Sequence, residues 1–202
     1  IDVSFTGVSR IGEKAELTFM TGYNYIVPKT LTPDFVYASD SVYSGPNGTP
    51  REFSYTSTSL DPSNNILKYR FLHNVKSDFE LVIRKKIGLG LSAKYFSKIV
   101  NMDAIIKDFE QTTADIPVLQ DLRYMDYFEA HRFGNWIFDV RFSYQLNSNH
   151  KIALIGNNIL NRSYSLRPLK IEPPRTLMVQ YTWKLDHNEA QPRKIIPLTG
   201  SL

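Results

Sequence analysis

Alternating apolar and polar positions dominate this chain. The pattern is cleanest near its C-terminal end. From Leu177 the odd positions read Leu177, Val179, Tyr181, Trp183 and Leu185, while the even ones from Thr176 read Thr176, Met178, Gln180, Thr182 and Lys184. Strand side chains alternate between faces, so one face is wholly apolar and closes on two aromatics, and the other is mostly polar. An ordinary strand runs to about five or six residues, whereas roughly nine to eleven tilted residues cross a bilayer. This stretch is long enough to cross.

The same pattern predicts six further strands. The first covers Asp2 to Ile11, with Gly12-Glu13-Lys14 as a tight turn, and the second runs from Ala15 to Val27, where Pro28 ends the pairing because it has no N–H. A third covers Leu67 to Arg84, with Val75, Phe79, Leu81 and Ile83 opposite Lys76, Asp78, Glu80 and Arg84. A short Lys85-Lys86 turn leads to a fourth, Ile87 to Ile99. The fifth sets Trp136, Phe138, Val140, Phe142, Tyr144 and Leu146 against Ile137, Asp139, Arg141, Ser143 and Gln145. Asn147-Ser148-Asn149 turns the chain into a sixth, Lys151 to Asn161.

Between them lie long connections, at about 28–65, 100–134 and 162–174. Loops beyond about 15 residues are uncommon unless functional or disordered. The first is rich in Ser, Thr, Pro, Asn and Gly, and its Tyr37, Tyr43 and Tyr55 could meet a ligand or, more simply, pack the loop on itself. In the second, Ile105, Ile106 and Phe109 have helical spacing, which predicts a short amphipathic helix over Met102 to Gln111 packing against the loop.

Three features set the class. Connections alternate between short and long, as they do when outer-membrane barrels place short turns in the periplasm and long loops outside. The apolar faces carry no Lys, Arg, Asp or Glu; such a charge facing lipid at mid-bilayer costs roughly 2–4 kcal/mol. Aromatics cluster near strand ends, as interfacial girdles do. The reading is an all-β, transmembrane antiparallel β-barrel. With about seven strands, an odd number, it leaves an edge that lipid penalises, so the chain is expected to be the C-terminal part of a larger barrel or to pair with another chain. A soluble barrel with the polar face outward, binding an apolar ligand, would show the same stripes; strand length and loop asymmetry favour the membrane.

Composition changes this picture little. No apolar run approaches a transmembrane helix. Tyr and Phe, at 12 each, suit strands and girdles. There is no cysteine, hence no disulfide framework, and the net charge of +4 is not gathered into a stripe that would read nucleic acid. The chain opens at Ile1 without Met or a signal peptide and is expected to be processed or partial.

Certain residues carry a family resemblance. Phe138-Asp139-Val140-Arg141-Phe142-Ser143-Tyr144, then Asn157-Asn158-Ile159-Leu160-Asn161 with Tyr164, then Pro173-Pro174-Arg175-Thr176 resemble the C-terminus of TonB-dependent receptors. Leu67-Lys68-Tyr69-Arg70 with His73 resembles a strand lead-in further upstream in these barrels, and Arg167-Pro168 is similar to members from Bacteroidetes-type bacteria. The resemblance implies the bacterial outer membrane and a barrel of about 22 strands. It also implies partners: outer-membrane lipid, an N-terminal plug and TonB outside this sequence, and a surface lipoprotein or other outer-membrane subunits. The implied function is to bind a nutrient at extracellular loops and import it. The alternative is the same barrel serving as a structural or scaffold subunit. Residues 1–185 make the barrel segment, and 186–202 form a polar C-terminal extension beyond the usual terminal aromatic.

No catalytic, cofactor-binding or metal-ligating residue is assigned, and the chain does not read as an enzyme. Asp139 and Arg141, two apart on one polar face, are expected to form a lumenal ion pair steadying the wall. His73, His131, His150 and His187 have no ligand spacing. Asn47-Gly48-Thr49 and Asn161-Arg162-Ser163 match glycosylation sequons, which the bacterial reading makes chance.

Overall fold

A computed structural model describes residues 1–40, 50–119, 123–167 and 170–185. Tyr43, Asn47, His187, Pro168 and the extension at 186–202 lie outside the described residues. In chain order the elements are β1 (Asp2–Ile11), β2 (Ala15–Tyr25), β3 (Ala38–Asp40), β4 (Arg51–Phe53), α1 (Tyr55–Thr58), β5 (His73–Ile83), β6 (Ile87–Phe96), α2 (Ile105–Thr113), α3 (Tyr124–Ala130), β7 (Asn135–Gln145), β8 (His150–Asn157) and β9 (Thr176–Trp183). Seven long strands form one antiparallel sheet, ordered β1-β2-β5-β6-β7-β8-β9, and β3 and β4 make a small hairpin beside it. Each long strand pairs with its neighbour in sequence, so the sheet is an open meander. All the tight turns lie at one end and all the long connections at the other.

Register is what turns seven separate stripes into one surface. The row Phe19↔Phe79, Phe79↔Leu91, Leu91↔Val140 crosses four strands without a polar side chain. The apolar positions are odd from β1 to β6, even on β7 and β8, and odd again on β9, yet the pairings bring them all to one side. A slip of one residue would scatter them across both faces. No Lys, Arg, Asp or Glu interrupts this side in any of the seven strands. Its ends are rimmed by aromatics: Tyr23, Tyr25, Tyr95 and Trp136 at the loop end, Tyr144, Tyr181 and Trp183 at the turn end. Trp136 and Tyr144 are separated by roughly 27 Å along β7 at about 3.4 Å per residue.

Exposure distinguishes the two faces. On the interior strands Leu91, Phe142 and Leu154 of the apolar side are 42%, 44% and 52% exposed, whereas Ile137, Ser143 and Ala153 on the opposite side are 3%, 2% and 5% exposed. The central strands β6, β7 and β8 thus present their apolar side to the surface, while β1 and β9, at the open edges, are exposed on both sides and β2 exposes its polar positions more.

The best-packed apolar cluster lies outside the sheet. Ile99, Met102 and Phe128 are buried together, with Leu60, Tyr69, Phe71, Ile106, Tyr124 and Met125 against them. These residues come from the connections 26–72 and 97–134, which fold over one another into a cap. Asn101, 1% exposed, joins them: its Oδ1 accepts from Asp61 N at 3.0 Å, and its Nδ2 donates to Tyr55 Oη at 2.8 Å and Ile66 O at 3.0 Å. The first connection thus carries its own hairpin and helical turn, and the second carries α3, which the periodicity did not reveal. The tyrosines divide. Tyr55 packs the cap, while Tyr37 is 60% exposed with its hydroxyl 3.2 Å from Thr58. The helix expected over Met102 to Gln111 forms at Ile105–Thr113, and its stripe, expected to pack against the loop, does so through Ile106 while Ile105 and Phe109 stay 70% and 50% exposed.

Several strands are shorter than expected: β2 ends at Tyr25 rather than Val27, β6 at Phe96 rather than Ile99, and β9 covers Thr176–Trp183 without reaching Leu185, while the two larger differences each have a local reason. The third was expected from Leu67 but starts at His73, because Tyr69 takes a left-handed backbone (φ 61) and turns into the cap. The sixth was expected to reach Asn161 but stops at Asn157, because Asn158 (φ 48) leaves the strand.

Candidate functional site

The polar face of β2, β5, β6 and β7 forms a basin of about 430 Å³ lined by Thr18, Met20, Asp78, Glu80, Ser92, Asp139 and Arg141 among others. Three ion pairs are set along it: Lys76 Nζ to Asp78 Oδ2 at 3.3 Å, Lys94 Nζ to Asp139 Oδ2 at 2.7 Å and Arg141 Nη2 to Glu80 Oε1 at 2.8 Å. Asp139 and Arg141 therefore do not pair with each other, as their spacing led us to expect. Each reaches across the sheet to an opposite charge instead, because register sets Lys94 and Glu80 on the same face within reach, although Lys76 and Asp78 do pair at that same spacing on β5.

Arg141 reaches furthest. Its register partner on β6 is Gly90, and Gly90's partner on β5 is Glu80, so the guanidinium spans an entire strand. It can do so because Gly90 has no side chain: a Cβ there would meet Arg141 Cβ at 3.3 Å and Nε at 3.5 Å.

At the loop end of the basin, Asp139 is also the anchor of a clamp. Its Oδ1 accepts from Asn158 N at 2.8 Å. Asn158, 3% exposed, donates through Nδ2 to Arg162 O at 2.8 Å and accepts from Arg162 N at 2.9 Å, with a longer contact to Pro173 O. Asn161, likewise left-handed (φ 51), accepts from Arg175 N at 2.9 Å. Tyr164 sits within this clamp, its hydroxyl pKa raised by burial and then by the Glu172 carboxylate. The asparagine pair and the Pro-Pro-Arg lead-in thus close the connection 158–175 onto the start of β9. Asn and Asp tolerate this backbone and bond locally, which is why they stand here.

The Leu67-Lys68-Tyr69-Arg70 stretch also has a structural role. Lys68 Nζ lies 2.5 Å from Asp103 Oδ1, and the Tyr69 hydroxyl donates to Asp103 Oδ2 while accepting from Asp103 N at 3.1 Å. Burial, reinforced by that carboxylate, pushes the Tyr69 pKa up to about 12. Asp103 is a residue that sequence reasoning missed, since no local spacing links it to Lys68.

The histidines are dispersed. His73 stacks on Tyr25 with its Nδ1 2.9 Å from Tyr23 Oη at the loop end. His150 lies beside Tyr181 and Trp183 at the turn end, and His131 bridges Tyr127 O and Ser163 O. Among the described residues no cluster of His, Asp and Glu could hold a metal ion, and no helix is long and apolar enough to cross a membrane.

Fold and faces together define an all-β protein built on an open antiparallel sheet with an exposed apolar side and a charge-paired polar one. No family model matches the chain, and no curated protein matches it.

Proposed function

We propose that this chain is the C-terminal part of the barrel of a TonB-dependent outer-membrane transporter, which binds a nutrient at its loop end and imports it to the periplasm. The observation that carries the reading is the uncharged apolar face held in register across seven strands and rimmed by aromatics at both ends. A contiguous apolar surface of that extent is rare on a soluble protein, where the largest patches cover about 300–600 Å². Lipid is the solvent that such a face fits. The inward charge-paired wall suits a water-filled or plugged interior. The clamp and the latch at Asp103 give physical roles to the residues on which the family resemblance rests.

The experiment is to delete the gene and measure growth on a panel of limiting nutrients, with and without functional TonB. Loss of growth on one nutrient, reproduced by removing TonB, is the expected result. Growth unchanged throughout, with other proteins lost from the outer membrane, would replace transport with the role of a structural subunit.

A further inference from the structure

We infer that the turn end of the sheet is a docking surface for anionic phospholipid headgroups. The inference rests on the membrane reading above, and three observations carry it. First, the cations gather there. Lys14 in the β1–β2 turn, Arg84, Lys85 and Lys86 in the β5–β6 turn and Lys184 just past β9 are all exposed, with Glu13 the only carboxylate among the described residues of these segments. The turns are neighbours: Arg84 N donates to Lys14 O at 2.6 Å, and Lys184 N donates to Asn149 O at 2.8 Å in the β7–β8 turn.

Second, these charges are uncommitted. The polar wall pairs Lys76, Lys94 and Arg141 with carboxylates, but none of the five turn-end cations is in an ion pair among the described residues.

Third, the β5–β6 turn holds its charges against its own backbone preference. Arg84 and Lys85 both adopt left-handed conformations (φ 48 and 56), where Asn and Gly fit without strain. A turn selected for hairpin closure alone would carry Asn-Gly. This one keeps two cations at a conformational cost, which points to a role for the charge. Tyr144, Tyr181 and Trp183 fix the level: they rim the apolar face just before these turns, so the cations stand at headgroup depth. Polybasic segments beside a membrane are drawn to anionic lipid in this way.

The test uses the full-length protein carrying Ser148→Cys in the β7–β8 turn, labelled with a fluorophore and reconstituted into phosphatidylcholine vesicles. These contain either spin-labelled phosphatidylglycerol or spin-labelled phosphatidylcholine as quencher. The parent is expected to be quenched several-fold more by the anionic lipid, less so at high salt. Arg84→Asn/Lys85→Gly/Lys86→Gln, which relaxes the turn and so keeps the hairpin, is expected to remove that preference. A parent without preference, or a variant that keeps it, overturns the inference while leaving the membrane reading intact. No quenching by either lipid overturns both.

Discussion

The hydroxyl of Tyr69 grips Asp103 from both sides, donating to its carboxylate and accepting from its backbone N–H. One side chain thereby fastens the connection before β5 to the connection after β6. Tyr69→Phe removes both bonds and leaves Asp103 with one partner fewer, at a cost of about 1–3 kcal/mol. Proteolysis of the cap is expected to accelerate while the sheet stays paired.

The same contact predicts an alkaline response. The Tyr69 pKa is raised, from 10.0 to about 12, so the neutral form is the one the fold stabilises. Its stabilising contribution is complete below pH 10 and declines as pH climbs from about 10 to 12, where the unfolded chain ionises and the folded one still holds its proton. Absorbance titration at alkaline pH should show late tyrosines, Tyr69 with Tyr127 and Tyr164, of which Asp103→Asn brings Tyr69 forward.

Face assignment is tested by paired substitutions at mid-height. Leu91→Arg places a charge on the apolar face, and on the membrane reading proposed above vesicle insertion is expected to weaken by roughly 2–4 kcal/mol. Thr18→Arg puts the same charge beside Glu80 on the polar face. It should insert normally. Equal penalties would mean that the faces have been assigned wrongly.

Gly90→Val is expected to break the Arg141–Glu80 pair without touching either partner, because its branched side chain occupies the path of the guanidinium. Both side chains are partly exposed, so the pair itself is worth only about 1 kcal/mol. Most of the loss therefore comes from displacing Arg141, and a double variant with Arg141→Ala should recover much of it.

Asn158→Ala removes a buried side chain that bonds Arg162 and Pro173 and puts a Cβ-bearing residue without local bonds into a left-handed backbone. A loss of about 2–4 kcal/mol follows. Hydrogen exchange should rise first at Arg162 and Arg175, whose N–H groups the clamp protects.

Strands and faces were legible in the sequence because period-two alternation is a local signal. β1 runs from Asp2 to Ile11 as expected, and the meander order follows from connection length. At the two largest departures from the alternation a backbone outlier was responsible. Tyr69 is a strand residue by type and Asn158 ends an alternating run, but both turn the chain by conformation. The charged contacts were less legible. Asp139 and Arg141 sit close in sequence, yet their partners Lys94 and Glu80 depend on register across β5, β6 and β7, which no single stretch encodes. The cap was hidden for the same reason, since Met102 and Phe128 bury against Leu60 and Phe71 from a segment far away along the chain. The barrel itself is a closure between edges, and this sheet is open.

The β5–β6 hairpin stands between the two halves of the cap, and its ladder runs on past the strands, through Ser97 N to His73 O and the bridge from Phe71 to Ile99. Its turn is three residues long, so it closes within microseconds, well before contacts that must wait for long-range encounters. Once zipped, it delivers Phe71 and Ile99 side by side and makes the meeting of the two cap halves effectively intramolecular. The order of assembly is thereby written into the wall: the hairpin is the scaffold on which the outer cap condenses, and a delay at Arg84-Lys85-Lys86 would be felt at the opposite end of the molecule.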